Sequence, residues 1–192
     1  MNTKKVLIYL IFALIIFSGY FCYKNEVFPA AIVNWNIITQ KSLNNYYEIS
    51  VAYLNKTIYI YGADTKPLED KDTKKQIKAA LLDKLIEDVL IYKEVKHRAG
   101  DELEAIANQK IENVLKDSNI EEAINTLFES TLKDYIQKEL KPQAYKEILE
   151  GRMLLNNESF EEWLKLEKQK ANVLILLPGY FWDGEGVKTP LN

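Results

Sequence analysis

Few residues in this chain could do nucleophilic, acid–base or metal chemistry. Its 192 residues include one histidine, His97, and one cysteine, Cys22. A disulfide within the chain needs two cysteines, and a structural zinc site usually needs four Cys or His ligands. A Ser-His-Asp or Cys-His catalytic unit would have to use His97. His97 stands beside Lys96 and Arg98 near the end of a predicted helix, where cations are favourable, so we interpret it as structural.

Carboxylate pairs are the remaining source of acid–base chemistry. Glu121 with Glu122, and Glu161 with Glu162, fall in the first turns of predicted helices, where negative charge is stabilising. The sequence of residues 183–186 offers oxygen ligands but lacks the spacing of a calcium loop. The chain has no phosphate-binding glycine loop. We therefore expect no catalytic residue, no cofactor and no metal ion, and hence a protein that is not an enzyme.

Composition narrows the class of protein further. The 25 basic and 28 acidic residues give a net charge of −3, which argues against a nucleic-acid-binding protein. A hydrophobic fraction of 47% excludes a disordered chain. The length suits one domain, or a small domain with an appendage.

Residues 6–23 carry no charge, and as a helix they would span about 27 Å, close to the hydrocarbon core of a bilayer. Lys4 and Lys5 precede them, so the positive-inside rule predicts a cytoplasmic N-terminus. We expect residues 1–23 to form a cytoplasmic stub and transmembrane anchor in the cell membrane, with Cys22 at the membrane edge. The alternative is a cleaved signal peptide that yields a secreted or periplasmic form.

The expected extracytoplasmic part is mildly acidic. Without Lys4 and Lys5 it has 23 basic and 28 acidic residues, a net charge of −5. From this count we expect no polybasic cluster for lipid headgroups. We divide this part into a juncture over 24–29, a domain over 30–177 and an aromatic, glycine-rich tail over 178–192, which we expect to be a loop.

Two short β segments lie at the two ends of the domain. The first covers residues 30–38 with a turn at 34–36, and the second covers residues 171–177. A lone strand leaves its backbone groups unpaired, so we expect the regions of Ile32 and Leu174 to pair with each other. The fold class is therefore mainly α, with a transmembrane helix and a two-stranded β element joining the ends of a multi-helix domain.

The apolar residues between the two β segments recur at helical spacing. Thr39 is the expected N-cap of a helix over 40–61, whose end could instead be strand. The clearest apolar stripe covers residues 74–99, with Asp72 or Thr73 as its cap. Gly100 ends this helix, and Asp101 is expected to cap the next one.

The C-terminal half of the domain shows three further helical stripes. Residues 120–140 follow a break at 117–119, and Pro142 is expected to open a new helix. Ser159 with Glu162 forms a predicted capping box for the last helix.

The order of these pieces matches three motifs. Residues 33–39 match V-N-G-x-x-I-T, except that Trp35 replaces the glycine. Residues 81–95 follow LLDxLIxxxLIxxEAxxxG and lead to Gly100. Residues 160–176 match FxxWLxxxxxxAxVxIL. Over 30–177 the chain resembles the N-terminal chaperone domain of the SurA and PrsA-type foldases.

This resemblance implies a helical domain that holds unfolded extracytoplasmic polypeptides. The family's enzymes carry a separate parvulin domain for prolyl isomerisation, and no insertion of that size fits here, so we expect no isomerase activity. Trp35 at the glycine position implies a different turn, because tryptophan does not readily adopt positive φ.

Aromatic residues are the candidates for binding a client peptide. The chain has 12 tyrosines, which either pack ordinarily or supply an adaptable apolar lining. The candidates are Tyr46, Tyr47, Tyr59, Tyr61, Tyr180, Phe181 and Trp182. The tail either fills a groove or offers an anchor to a partner.

The expected function is that of a membrane-anchored, extracytoplasmic, chaperone-like protein. Its expected partners are unfolded or exported polypeptides and, through residues 6–23, the lipid bilayer; a homodimer is left open, and nucleic acid is not expected. The alternative is a structural subunit of an envelope membrane complex that uses the same fold as a scaffold. The third hypothesis is an enzyme, such as a degenerate isomerase.

Overall fold

The computed structural model describes residues 28–116 and 120–190. The predicted anchor, Cys22, the juncture up to residue 27 and the break at 117–119 lie outside the described residues. Within the described ranges, no helix combines the length and apolarity needed to cross a membrane.

A small antiparallel sheet joins the two ends of the domain, as predicted. It consists of β1 (Pro29–Val33), β2 (Asn36–Thr39) and β3 (Val173–Ile175), in the order β2-β1-β3. Ala31 pairs with Ile175. The sheet has three strands rather than two, because the segment after the turn folds back and pairs along β1.

The turn between β1 and β2 contradicts the expectation for Trp35. Asn34 has φ 46° and Trp35 has φ 72°, so both take the left-handed conformation. A two-residue hairpin loop needs this conformation to match the twist of its strands. Trp35 is 93% exposed, so its side chain meets no packed neighbour there. Asn34 also ties the turn to the chain before β3, because its amide donates to the Asn172 carbonyl at 3.0 Å.

The rest of the described chain is mainly helical, as predicted. The helices are α1 (Gln40–Ile60), α2 (Lys71–Ala99), α3 (Leu103–Val114), α4 (Ile120–Phe128), α5 (Leu132–Tyr135), α6 (Lys141–Leu155) and α7 (Phe160–Lys170). Short 3-10 turns cover Lys66–Glu69 and Gly100–Glu102, and Ile136–Leu140 is a π-helical segment. The end of α1 is helical, so the alternative of a strand there was wrong.

Two of the predicted helix caps are confirmed. The Thr39 hydroxyl accepts from the Ser42 amide at 3.1 Å, and the Ser159 hydroxyl accepts from the Glu162 amide at 3.3 Å. These caps could be predicted because the bond joins residues three positions apart.

Two other caps were predicted wrongly. The cap of α2 is Asp70, whose carboxylate accepts from the amides of Asp72 and Thr73. Asp101 does not cap α3, because it lies in the 3-10 turn that begins at Gly100, where φ is 58°.

The predicted helical stripe over 120–140 is interrupted by a break that was not predicted. Glu129 has φ 49°, and the Thr131 hydroxyl caps α5 by accepting from the Asp134 amide. The π-helical segment then leads directly into α6, so Pro142 lies in the second position of that helix rather than opening it after a break. Proline has no amide to donate to the carbonyl of residue 138. That carbonyl accepts from the Tyr46 hydroxyl at 2.7 Å, which ties α1 to this segment.

Helix α2 contributes to two buried cores. Its first half, including Leu82 and Ile86, packs against the sheet and α1. Its second half, including Val95, packs against α3, α6 and α7. The length of α2 therefore holds the sheet and the helical end together.

The tail is a second hairpin rather than a loop. Its strands are β4 (Phe181–Trp182) and β5 (Val187–Lys188). Val187 is only 8% exposed and belongs to the core beside the sheet. The tail is therefore packed onto the domain.

Candidate functional site

An open, mainly apolar cavity of about 490 Å³ lies between β2, α1, α2 and α6. We call it the β2 cavity. Its lining includes Ile37, Ile38, Ser42, Tyr46, Leu85, Asp88, Val89, Tyr92, Lys96, Pro142 and Tyr145. Three tyrosine rings and several aliphatic side chains give it the character of a site for an apolar side chain.

The four elements around the cavity are held by features of the local sequence. α1 follows β2 directly at the Thr39 cap, so Ile38 and Ser42 are neighbours at one wall. On α2 the lining residues Leu85, Val89 and Tyr92 recur at spacings of four and three, which places them on one helix face.

A charged group lies beside Tyr46, and one of its members, Asp88, lines the cavity. The Lys84 ammonium is 3.2 Å from the Asp88 carboxylate and 3.8 Å from the Glu139 carboxylate. It also lies 5.0 Å from the centre of the Tyr46 ring. Burial raises the pKa of Asp88 and of Glu139 above the usual range for a carboxyl, although Lys84 opposes the shift. Burial, together with these carboxylates, also raises the pKa of Tyr46.

The opposite wall carries a second tyrosine with a carboxylate partner. The Tyr145 hydroxyl donates to Glu104 at 2.7 Å, and Lys141 lies 2.9 Å from the same carboxylate. Burial and Glu104 raise the pKa of Tyr145 to about 12. Tyr92 packs against Tyr145 with 5.3 Å between ring centres. Tyr46 and Tyr145 therefore keep their protons at neutral pH and act as hydrogen-bond donors.

One edge of the sheet borders the cavity and is unpaired. β2 is an edge strand, and no other strand in the described part of the chain pairs with its outer side. In a two-residue hairpin, Val33 and Asn36 form the hydrogen-bonded pair, so the next pair, Ile32 with Ile37, is not hydrogen-bonded. The amide and carbonyl of Ile37 therefore point away from β1, and its side chain is 63% exposed.

The seven predicted aromatic candidates do not form one site. Only Tyr46 lines the β2 cavity. Tyr47 and Tyr180 line a second pocket, and Phe181 lines a third. Tyr59 and Tyr61 are more than three-quarters exposed at the end of α1, whereas Trp182 lies over the Lys168 ammonium.

Sequence reasoning missed Ile37, Tyr92 and Tyr145 as lining residues. The two tyrosines lie in stripes that we interpreted as helix core. A stripe does not reveal which of its residues a neighbouring element leaves uncovered, so the sequence carried no signal for this choice.

The tail leaves the β2 cavity open. It covers a different face of α2, where Lys168 is 8% exposed and lies 3.2 Å from Asp83 and 2.7 Å from Glu87. Gly186 approaches Asp83 so closely that a Cβ atom there would stand 3.4 Å from the carboxylate.

The remaining candidates for chemistry do not line the β2 cavity. In the described ranges, no three His, Cys, Asp or Glu side chains are placed to hold a metal ion. The Asp183 carboxylate accepts from the amides of Glu185 and Gly186, which shapes the turn of the tail hairpin. His97 lies exposed in the last turn of α2, as predicted.

The three motifs behind the family resemblance occupy separate elements. Residues 33–39 contain the turn and the second strand of the first hairpin, residues 81–95 lie within α2, and residues 160–176 include α7 and β3. Comparison with family models, curated proteins and solved structures finds no match for the chain. Membership of the foldase family therefore stays a prediction from these motifs.

Proposed function

We propose that this protein is a membrane-anchored, extracytoplasmic, chaperone-like protein. It binds unfolded or exported polypeptide segments reversibly and forms no covalent bond with them. The observation that carries the proposal is the open apolar cavity beside the unpaired edge of β2. The foldase resemblance and the uncharged segment 6–23 support the class of client and the location.

The geometry suits an extended segment laid along β2. Its backbone would exchange hydrogen bonds with the outward amide and carbonyl of Ile37, as in other cases of strand addition. Alternate side chains of a strand point to one side, so one of them would enter the cavity against Val89 and Tyr92. Backbone bonds are independent of sequence, which fits a site that accepts many clients.

Substitution of Ile37 tests this arrangement. The full chain in mild detergent is presented with apolar peptides, and affinity is measured by fluorescence anisotropy. Ile37→Lys places a charge at the edge of the site and should weaken binding at least about tenfold, because an edge lysine discourages strand addition.

Leu174→Lys is the matched control. Leu174 is a comparably exposed apolar residue on β3, the opposite edge strand of the same sheet. Its substitution should leave the affinity unchanged. Equal binding by wild type and Ile37→Lys, or no binding by the wild type, would contradict the proposal.

A second function, that of a scaffold subunit, is favoured by one observation. The end of α1 exposes Tyr59, Ile60 and Tyr61 by 80%, 66% and 82%. Such an apolar patch is typical of a contact with a fixed partner. Cross-linking from position 61 in membranes separates the two functions, because a scaffold gives one stoichiometric adduct and a chaperone gives many weak ones.

A further inference from the structure

Four lysines surround one pocket at the start of α2. Lys71, Lys74, Lys75 and Lys78 recur at spacings of three, one and three, which places them along one helix face. The pocket measures about 780 Å³, is open to solvent, and is also lined by Tyr47 of α1 and by residues 178–180. We call it the lysine pocket. Four lysines are therefore grouped here, although the net charge led us to expect no polybasic cluster for lipid headgroups.

The charge of the lysine pocket is opposite to that of the whole chain. Its lining has four lysines and one acidic residue, Asp72, whereas the chain has a net charge of −3. The positive end of the α2 dipole is offset by the Asp70 carboxylate that caps it, so the positive charge of the pocket comes from its lysines. Two tyrosines stand beside the ammonium groups, with the Tyr47 ring centre 4.9 Å from Lys78. Lysine with tyrosine is the combination found where proteins meet a membrane surface.

The lysine pocket lies at the end of the sheet where the chain enters the domain. The Leu176 amide donates to the Ala30 carbonyl at 2.9 Å, and β3 runs antiparallel to β1. Beyond Leu176 the chain therefore passes the start of β1, and residues 178–180 reach the same end of the sheet as Phe28. Gly179 approaches the Lys75 side chain there, where a Cβ atom would be 3.4 Å from its Cε.

The proposed anchor places this end of the sheet near the bilayer. If the span ends at residue 23, the five steps to Phe28 extend at most about 17 Å. A linker this short permits the lysines to approach the bilayer to within about 10 Å, the distance over which the potential of anionic headgroups acts.

We infer that the lysine pocket binds the phosphate groups of anionic phospholipids at the surface of the bilayer that holds the anchor. The inference rests on the proposed membrane anchor. Binding at this end fixes how the domain stands on the membrane, so that the anchor and the pocket together hold it at two points. Two contacts restrict the orientation of the domain more than the anchor alone would.

Protection of lysines from an amine-reactive label tests the inference. The full chain is reconstituted into vesicles of phosphatidylcholine, or of phosphatidylcholine with phosphatidylglycerol. Labelling by an impermeant acetylating reagent is followed by mass spectrometry. We expect Lys74 and Lys75 to react at least about threefold more slowly in the anionic vesicles, and this protection to vanish at about 0.5 M salt.

Internal controls come from the far end of the chain. Lys165 and Lys170 are exposed on α7 and should react equally in both vesicles. The double variant Lys74→Gln and Lys75→Gln should lose the protection of Lys71 and Lys78. The double variant Lys165→Gln and Lys170→Gln should retain it.

Three outcomes would overturn the inference. Equal labelling of Lys74 and Lys75 in the two vesicles shows that the lipid charge is not sensed. Equal protection by inorganic phosphate in neutral vesicles assigns the pocket to a free anion. Equal protection by polyglutamate assigns it to an acidic polypeptide.

Client binding in the same vesicles separates this inference from the proposed function. Intact client binding without lipid-dependent protection overturns only the lipid site. Lipid-dependent protection without client binding overturns only the chaperone proposal.

Discussion

Two faces of α2 carry the same kind of charged group, a lysine between two carboxylates, but the tail covers only one of them. On the covered face, Lys168 of α7 lies between Asp83 and Glu87 beneath Trp182. On the open face, Lys84 lies between Asp88 and Glu139 behind the β2 cavity. The covered face is completed by the chain itself, whereas the open face has apolar walls and is not covered by any segment within residues 28–116 and 120–190. This difference is the reason why we propose the open face as the binding site.

The environments of the two lysines differ accordingly. The Lys168 side chain is 10% exposed and that of Lys84 is 39% exposed. Burial lowers the pKa of Lys168, but Glu87 and Asp83 outweigh burial and raise it overall. On the covered face, charge pairing is thus part of how the domain is held together. On the open face, Asp88 of the ion group lines the β2 cavity together with Tyr46, so part of the group stays accessible from the cavity.

The largest effect is expected where the tail enters the core. Val187→Asp places a carboxylate among buried apolar side chains, and should lower the free energy of unfolding by about 3 kcal/mol. Urea unfolding of the full chain in mild detergent, followed by circular dichroism, measures it. Phe181→Asp, on the exposed side of the same hairpin, should change it by less than about 0.5 kcal/mol. Equal effects would mean that the tail is not docked on the covered face.

Removal of Lys168 or Lys84 should give the next largest difference in stability between the two faces. Lys168→Ala leaves Asp83 and Glu87 half-buried without their cation, and should cost about 2 kcal/mol of unfolding free energy, below the range for fully buried pairs. Lys84→Ala should cost about 1 kcal/mol, because Lys84 is more exposed. The same urea unfolding measures both. A larger loss for Lys84→Ala would reverse the comparison.

The pH dependence of the free energy of unfolding tests the environment of Asp88 on the open face. A raised pKa in the folded state means that its contribution to stability is present at low pH and is lost as pH rises through the folded pKa. Asp88→Asn should therefore gain stability relative to wild type between about pH 3 and pH 7.

Asp183→Asn is the control of opposite sign. Amide hydrogen bonds from Glu185 and Gly186 lower the pKa of Asp183, so the wild type gains stability as pH rises through that pKa. The variant should therefore lose stability relative to wild type as pH rises through the lowered pKa of Asp183, in the acid range below about pH 4. Thermal unfolding at a series of pH values measures the stability of both variants and of the wild type. If the stability difference from wild type changed with pH in the same direction for both variants, the two carboxyls would not have pKa shifts of opposite sign.

The smallest effect is expected at the turn that begins the edge strand of the open face. Trp35→Gly relieves the positive φ and should raise the free energy of unfolding by about 0.5–1 kcal/mol. Trp35→Ala keeps a Cβ atom and should give no such gain. Similar stability of the two variants in urea would show that the conformation of Trp35 carries no strain.

The sequence predicted a feature best where that feature depends on neighbouring residues or on backbone hydrogen bonds that must be satisfied. The caps at Thr39 and Ser159 follow from bonds over three residues, and the pairing of β1 with β3 follows from the need of each strand for a partner. Predictions from the sequence were wrong where contacts between distant segments decide the conformation. The Trp35 turn is imposed by the hairpin, and the tail pairs with itself because α2 offers it a surface.

The candidate site was less predictable than the fold. Only Tyr46 among the seven aromatic candidates lines the β2 cavity, because local clustering of tyrosines does not indicate which helix face stays uncovered. The lysine pocket was missed for a related reason. Net charge averages over the chain, whereas helix α2 gathers four lysines on one face near residues 178–180.

The central claim is that client polypeptide binds at the open face beside β2. A photoreactive amino acid at position 37, and in a separate variant at position 181 on the covered face, tests it directly with an unfolded exported polypeptide and the full chain in membranes. We predict client adducts from position 37 at several-fold higher yield than from position 181. Equal yields, or adducts from position 181 alone, would contradict the account.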